Sequence, residues 1–173
     1  MPVMLGRPEP NEAAPYYSRY IDLIASDDVI SVLETQLGET LTFLRSISEE
    51  QSGYRYEPGK WSMRQLVNHV NDSERIFLFR ALWFARGFPG PLPGYDQDIG
   101  VVSSGADEVS WSAHVDEFEA IRLSSLALLK NLPAEAWLRI GVANDSPATV
   151  RGLAYILAGH VAHHTEILRS RYL

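Results

Sequence analysis

The sequence predicts an all-α fold: a four-helix bundle with up-down-down-up topology and a long crossover between its second and third helices. Apolar residues recur at helical spacing in four segments, and no convincing alternating strand pattern interrupts them, although short strands in the loops stay open. The link between the second and third segments is too long for a helical hairpin. A chain of 173 residues fits one domain. We expect residues 1–25 to form an arm that packs on the bundle and residues 26–173 to form the bundle itself.

The first two helices are predicted from their apolar periodicity and, for the second, from its start. The arm before them carries a tyrosine cluster that we expect to pack on the bundle: Tyr16, Tyr17 and Tyr20. Helix one covers about residues 27–47, with apolar side chains at Val29, Val32, Leu33, Leu37, Leu41 and Leu44. Helix two covers about residues 62–86. Ser62 is its predicted N-cap, and Gln65 completes a capping box.

The last two helices follow the long connection. Residues 87–110 are rich in glycine and proline and form the only link with the length for a crossover. Helix three covers about residues 112–131. Helix four covers about residues 147–172, with Ser146 as its predicted N-cap and Pro147 at the first helical position, where a missing N–H costs little.

The histidines provide the strongest functional signal. His160 and His164 are four residues apart, about 40° on a helix surface, and both fall on the apolar stripe of helix four. Two imidazoles so placed can bind one metal ion. His69, on helix two, can supply a third ligand. It lies at the same level of the bundle as His160 and His164 only if helices two and four run antiparallel, which requires the crossover. We expect His114 to be a surface residue.

Composition excludes several classes of protein. Fifteen basic and twenty-two acidic residues give a net charge of −7, and no Lys/Arg cluster predicts nucleic-acid binding. The chain has no cysteine, which excludes disulfides and thiolate metal sites. No apolar run approaches the roughly 20 residues of a membrane span, and residues 1–14 lack the pattern of a signal peptide. We therefore expect a cytoplasmic protein with no membrane partner.

Two motifs carry a family resemblance. The segment YEPGKWS at residues 56–62, followed by His69, and the late HVAHH at residues 160–164 together resemble the DinB/YfiT-like superfamily of metalloenzymes. The resemblance implies a four-helix bundle with the same crossover, a metal held by His69, His160 and His164, and a homodimer. It also implies relatives that use low-molecular-weight thiols as S-transferases or isomerases, beside many without an assigned activity.

A site with three protein ligands leaves a coordination position open, as in catalytic metal sites. The expected cofactor is a divalent metal ion: zinc or nickel first, with iron, copper or manganese as alternatives. A metal-bound thiol or water would act on a small-molecule substrate. Because the resemblance implies relatives that use thiols, a thiol-dependent S-transferase is the first expectation. The alternatives are a metal-dependent hydrolase and a non-catalytic metal- or ligand-binding stress-response protein. A zincin is excluded because no glutamate follows His160.

Other polar residues are candidates for supporting roles. His163 is a candidate catalytic group or proton shuttle, with a surface or dimer-contact histidine as the alternative. Asp98, like Asp96, lies in the crossover loop and is a candidate for closing over the site, against an ordinary solvated carboxylate. Asp72 and Glu74 are expected to pair with Arg75 or to cap neighbouring groups.

Overall fold

A computed structural model describes residues 5–173, most of which are helical. The α-helices are α1 (Ser18–Ile21), α2 (Val29–Arg45), α3 (Met63–Ala85), α4 (Gln97–Ser103), α5 (Trp111–Lys130) and α6 (Val150–Ile167). The strands are β1 (Ile140–Ala143) and β2 (Ser146–Thr149). Short 3₁₀ turns connect them at Pro10–Glu12, Pro15–Tyr17, Gln51–Gly53, Ala106–Glu108 and Ala134–Leu138, and a π-helical turn, Leu168–Tyr172, extends α6.

The four long helices α2, α3, α5 and α6 pack as the predicted helical bundle. Helix α3 lies against both α5 and α6, and α2 lies against the same two helices from the other side. Their facing apolar side chains form the core, in which Leu33, Ala81 and Ala154 are completely buried. Burial of these stripes stabilises the helices more than their intrinsic propensity does.

The start of α3 is fixed by the predicted capping box. The Ser62 hydroxyl accepts a hydrogen bond from the Gln65 backbone N–H at 3.0 Å, and the Ser62 N–H donates to the Gln65 side chain at 3.0 Å. These two bonds satisfy N–H groups that would otherwise lack a helical partner. The box therefore determines where along α3 the functional side chains fall.

The predicted start of the last helix was wrong. Residues 146–149 form β2, which pairs antiparallel with β1, and α6 begins at Val150 with Thr149 as its N-cap. The reason is a tight turn at Asn144 and Asp145, whose φ angles of 52° and 57° are those of a hairpin turn that matches the twist of paired strands. The fold is thus a helical bundle with a small two-stranded sheet.

The chain before α2 lies along α6. Residues 1–4 of the predicted arm fall outside the described residues. In the remainder of the arm, helix α1 contacts α6. The contact is very close at Gly159, where a Cβ would lie 2.0 Å from the Tyr20 carbonyl oxygen. A side chain at position 159 would therefore push α1 away from the helix. Tyr20 is buried and Tyr17 packs edge-on against Phe77, whereas Tyr16 is largely exposed.

Across residues 5–173, none of the helices combines the length and the apolar character that crossing a membrane requires.

Candidate metal centre

The structure brings together the three histidines that the sequence singles out. His69 comes from the second turn of α3, and His160 and His164 come from successive turns of α6. His160 Nε2 lies 3.1 Å from His69 Nε2 and 3.1 Å from His164 Nε2. One ligand nitrogen from each side chain lies within 4.8 Å of the other two. Three imidazole edges therefore face one point between α3 and α6.

Aromatic side chains surround this three-histidine cluster. Trp61 lies beside His69 with 5.1 Å between ring centroids, and Tyr20 lies edge-on to His160 at 5.3 Å. Phe77 contacts His160 from α3 at 5.9 Å. His69 and His160 are consequently only 4% and 5% exposed. Such walls exclude water and strengthen electrostatic interactions inside the site.

Burial keeps the imidazoles neutral. It lowers the pKa of His69 to about 4 and, together with the neighbouring His69 and His163, lowers the pKa of His164 to about 3. The pKa of His160 falls well below its ordinary value, first through burial and then through the adjacent histidines. Neutral imidazoles present the lone pairs that a metal ion requires.

The hydrogen-bonding capacity of the cluster also fits a cation. A neutral imidazole carries one proton, so His160 Nε2 has either one N–H or one lone pair to share between two neighbouring nitrogens. At most one of the two 3.1 Å contacts is therefore a good hydrogen bond. Nitrogens that bind one tetrahedral zinc ion lie about 3.3 Å apart, given Zn–N distances of about 2.0–2.1 Å. The three residues fit a divalent metal ion.

A serine links the cluster to the crossover loop. Ser73 lies four residues after His69 on α3, and its Oγ is 3.4 Å from His69 Nδ1 and 2.9 Å from the Tyr95 hydroxyl. This chain of contacts orients the His69 ring. The Nδ1 atom of His164 is buried and has no hydrogen-bond partner among the described residues.

A cavity of about 700 Å³ opens beside His160. Its walls combine aromatic rings with a few polar side chains, which is typical of small-molecule sites. The lining includes Tyr16, Tyr17, Tyr20, Phe77, Arg80, Tyr95, Asp96, Asn144, Ser146 and His160. A ligand that enters this cavity reaches one of the clustered imidazoles directly.

The predicted supporting residues lie at the edge of the site. His163 is half-buried, with its ring centroid 5.0 Å from that of His164 and 5.3 Å from that of Tyr20. Asp98 is exposed on the first turn of α4. Asp96 caps α4 by accepting hydrogen bonds from the backbone N–H groups of Asp98 and Ile99. Catalytic roles for His163 and Asp98 stay predictions.

Two expectations about other polar residues were wrong. His114 is not on the surface: it is 1% exposed, and its Nε2 lies 2.8 Å from the Ala106 carbonyl oxygen, because the Ala106–Glu108 turn covers that face of α5. Glu74 does not pair with Arg75 but with the buried Arg122. Asp72 does lie 3.7 Å from Arg75, as expected.

Several residues at the site were not predicted. Ser73, Phe77 and Arg80 follow His69 on α3 at spacings of four, eight and eleven residues, which place all of them within about 80° on the helix surface. A projection of the second helix from His69 would have found them. No comparable signal marks Tyr95, since its position depends on the path of the crossover loop.

Comparisons with known proteins agree with this geometry. A family model described as the DinB superfamily matches residues 33–168. A protein of Oceanobacillus iheyensis, named "Putative metal-dependent hydrolase OB0413", is 33% identical over 70 residues. That match covers 40% of this chain and 38% of the relative, so the similarity spans well under half of the relative's length.

Two solved structures share the fold. YfiT from Bacillus subtilis, described as "a probable metal-dependent hydrolase with an unusual four-helix bundle topology", is similar with a TM-score of 0.64 and 20% identity, over 97% of this chain and 94% of that one. A mycothiol-dependent maleylpyruvate isomerase is similar with a TM-score of 0.68 and 11% identity, over 84% of this chain and 61% of that one.

Proposed function

The chain belongs to the DinB superfamily, and on that premise we propose that it is a metal-dependent enzyme whose divalent metal is held by His69, His160 and His164. The observation that carries the proposal is the convergence of three neutral imidazoles on one point, with His160 Nε2 3.1 Å from the Nε2 atoms of both His69 and His164. Three protein ligands leave a position open, and the cavity beside His160 gives a substrate access to it.

A divalent metal held by these three histidines would lower the pKa of a thiol or water that it binds, and so would supply a nucleophile near neutral pH. The protein's part is to hold the imidazoles in place through Ser73 and the aromatic walls, and to exclude bulk water. We propose zinc or nickel as the ion, with iron, copper and manganese as alternatives, because neutral imidazoles suit these metals.

We propose a thiol-dependent S-transferase in preference to a hydrolase. Among residues 5–173, no carboxylate forms a hydrogen bond with the three histidines, so the site offers no evident general base at the ligands. A thiol, with an ordinary pKa of about 8.5, ionises far more readily than water and depends less on such a base. The fold similarity to a mycothiol-dependent isomerase supports thiol chemistry. The name of the Oceanobacillus relative favours hydrolysis as the second candidate.

The decisive experiment measures metal content first and turnover second. Elemental analysis of purified protein is expected to find about one metal ion per chain, and His69→Ala should lower that content severalfold. His163→Ala is the matched control, because it removes a neighbouring imidazole from the same helix and should retain the metal. Unchanged metal content in His69→Ala would contradict the three-ligand site.

Turnover separates the two candidate reactions. Metal-loaded protein is mixed with a small thiol and an activated aryl halide, and separately with an activated ester and no thiol. We expect a thiol-dependent rate that rises with metal occupancy and disappears in His160→Ala. Ester hydrolysis alone would favour the hydrolase. Equal rates in the unaltered protein and His160→Ala, in both assays, would remove the enzymatic proposal.

We also propose the up-down-down-up order of the long helices. His69, near the start of α3, lies beside His164, near the end of α6, with 5.0 Å between their ring centroids. At the other end, Phe84 near the end of α3 lies against Gly141, in the hairpin that precedes α6. Both contacts support antiparallel α3 and α6, and hence a crossover in the 87–110 connection.

The division into an arm (residues 1–25) and a bundle (residues 26–173) stays a proposal, supported by the packing of α1 on α6. The homodimer and the cytoplasmic location rest on the resemblance and the composition given above. Sedimentation equilibrium of the purified chain tests the dimer directly.

A further inference from the structure

A buried arginine beside the metal centre has no acidic partner. Arg80, on α3, is only 3% exposed. Among residues 5–173, no carboxylate lies within ion-pair distance of it, in contrast to the other buried arginine, Arg122, which pairs with Glu74. Its one hydrogen bond runs from Nη2 to the Pro93 carbonyl oxygen at 3.0 Å. A guanidinium is always charged and carries several N–H donors, so most of its capacity is unused.

Two aromatic rings compensate part of the charge. Arg80 Cζ lies 5.8 Å from the centroid of the Phe77 ring and 5.7 Å from that of the Tyr95 ring. Both distances fall within the usual range of about 6 Å for cation–π contacts. Such contacts hold the guanidinium in place but provide no acceptor for its N–H groups. Arg80 is not among the residues with fully buried, unpaired side-chain atoms, so its remaining N–H groups face the cavity that it lines, where an acceptor on a ligand can reach them.

The guanidinium and the metal centre open onto the same space. Arg80 and His160 both line the 700 Å³ cavity, and Phe77 lies between them, in contact with both. Asp96 is the acidic residue in this lining, but it accepts two hydrogen bonds from the first turn of α4. A ligand in the cavity can therefore reach Arg80 at one end and His160 at the other.

We propose that Arg80 binds a carboxylate of the substrate, so that the enzyme acts on small organic acids. The planar guanidinium fork matches a carboxylate in shape and charge, and a partly buried cavity strengthens the pairing. This inference rests on the proposed function in one respect only, that the cavity receives the substrate. With the carboxylate on Arg80, the reacting end of the molecule lies about one aromatic ring away, next to His160.

Binding of a matched pair of probes tests the proposal without turnover. ¹⁹F NMR measures the affinity of 4-fluorophenylacetate and of its neutral amide, 4-fluorophenylacetamide, for the full chain treated with a chelator. Metal-free protein is used so that the carboxylate cannot bind the metal instead. We expect the acid to bind at least about tenfold more tightly than the amide, the usual effect of a hydrogen bond to a charged group.

Variants assign the preference to Arg80. Arg80→Gln should remove the acid-over-amide preference, and Arg80→Lys should keep part of it. Arg86→Gln makes the same change of charge at an exposed position at the end of α3, and it should keep the full preference for the acid. A role of Arg80 in packing alone would alter stability but not this ratio.

The outcomes separate this inference from the proposed function. Equal affinity for acid and amide in the unaltered chain overturns the inference even if Arg80→Gln does not fold, and so does a full preference in either Arg80 variant. Purified protein without bound metal, or unchanged metal content in His69→Ala, would overturn the metal site but leave the acid preference of the metal-free protein in place. A preference for the acid without turnover would retain Arg80 as a carboxylate-binding residue.

Discussion

Two buried polar clusters lie along α3, and they differ in whether their polar groups satisfy one another. In the first, Arg122 donates from Nε and Nη2 to the two carboxylate oxygens of Glu74 at 2.8 and 2.9 Å, and from Nη1 to Gln36 at 2.8 Å. Ser125 donates to the same carboxylate. In the second, the three-histidine cluster, His160 Nε2 faces the Nε2 atoms of His69 and His164, and at most one of these two contacts is a good hydrogen bond.

The difference indicates which cluster serves the fold and which serves a ligand. Buried polar groups in folded proteins are almost always paired, so a satisfied network such as Glu74–Arg122 needs no outside partner. The three-histidine cluster and Arg80 leave lone pairs and N–H donors unused inside the protein. Groups of this kind are expected where a metal or a substrate completes the pairing.

The largest expected effect comes from breaking the satisfied network. Arg122→Ala leaves the Glu74 carboxylate buried without its counter-charge, and we expect a loss of about 3–5 kcal/mol in the free energy of unfolding. Urea denaturation measures it. Arg45→Ala, which breaks the exposed pair with Glu119, is the matched control and should cost less than about 1 kcal/mol. Similar losses in both variants would contradict a structural role specific to the buried network.

Zinc should stabilise the folded protein by binding to the three-histidine cluster, and it should have no effect on the Glu74–Arg122 network. A ligand that binds only the folded chain adds about 2.7 kcal/mol at a hundredfold excess over its Kd. For a domain of this size the shift in Tm is roughly 5–10 °C, measured by thermal denaturation with zinc and with chelator. His160→Ala should abolish the shift. A zinc-induced shift that survives in His160→Ala would place the metal elsewhere.

Acid should destabilise the metal-free protein through its buried histidines. Burial lowers the pKa of His69 to about 4, against about 6.5 in the unfolded chain, so between these values the unfolded chain binds a proton that the folded chain does not. Stability is therefore present above pH 6.5 and falls as the pH drops toward 4. From pH 7 to pH 5, His69 alone should contribute a loss of about 2 kcal/mol.

Denaturation at both pH values in the presence of chelator measures this slope. His69→Gln is the control, because it removes one titrating group and should reduce the dependence on pH, while His160 and His164 keep contributing to it. An unchanged slope in His69→Gln would show that its imidazole is not buried in neutral form.

Helix positions and the three-histidine cluster were predictable because they follow from local periodicity. Apolar spacing fixed the helical segments, and the i, i+4 pair at His160 and His164 placed two imidazoles on one face before any tertiary contact was known. The Glu74–Arg122 pair was not predictable, since its partners are far apart in sequence and either could have faced solvent. The β1–β2 hairpin was missed because its strands are four residues long and Pro147 resembles a helix start.

The smallest expected effect concerns the link between the cluster and the crossover loop. Ser73→Ala removes the hydroxyl that lies 3.4 Å from His69 Nδ1 and 2.9 Å from the Tyr95 hydroxyl, and should cost about 1 kcal/mol of stability, the net value of an ordinary hydrogen bond. The same substitution should weaken the affinity for zinc about tenfold, because groups that orient a ligand histidine affect how tightly it binds the metal. Competition titration with a chromogenic chelator measures this affinity.

Ser125→Ala is the informative comparison: it removes a buried hydroxyl from the Glu74 carboxylate, at a similar cost in stability, and should leave the zinc affinity unchanged. If both serine variants weaken zinc binding equally, the two clusters are coupled through α3, and the contrast between a network for the fold and a site for the metal does not hold.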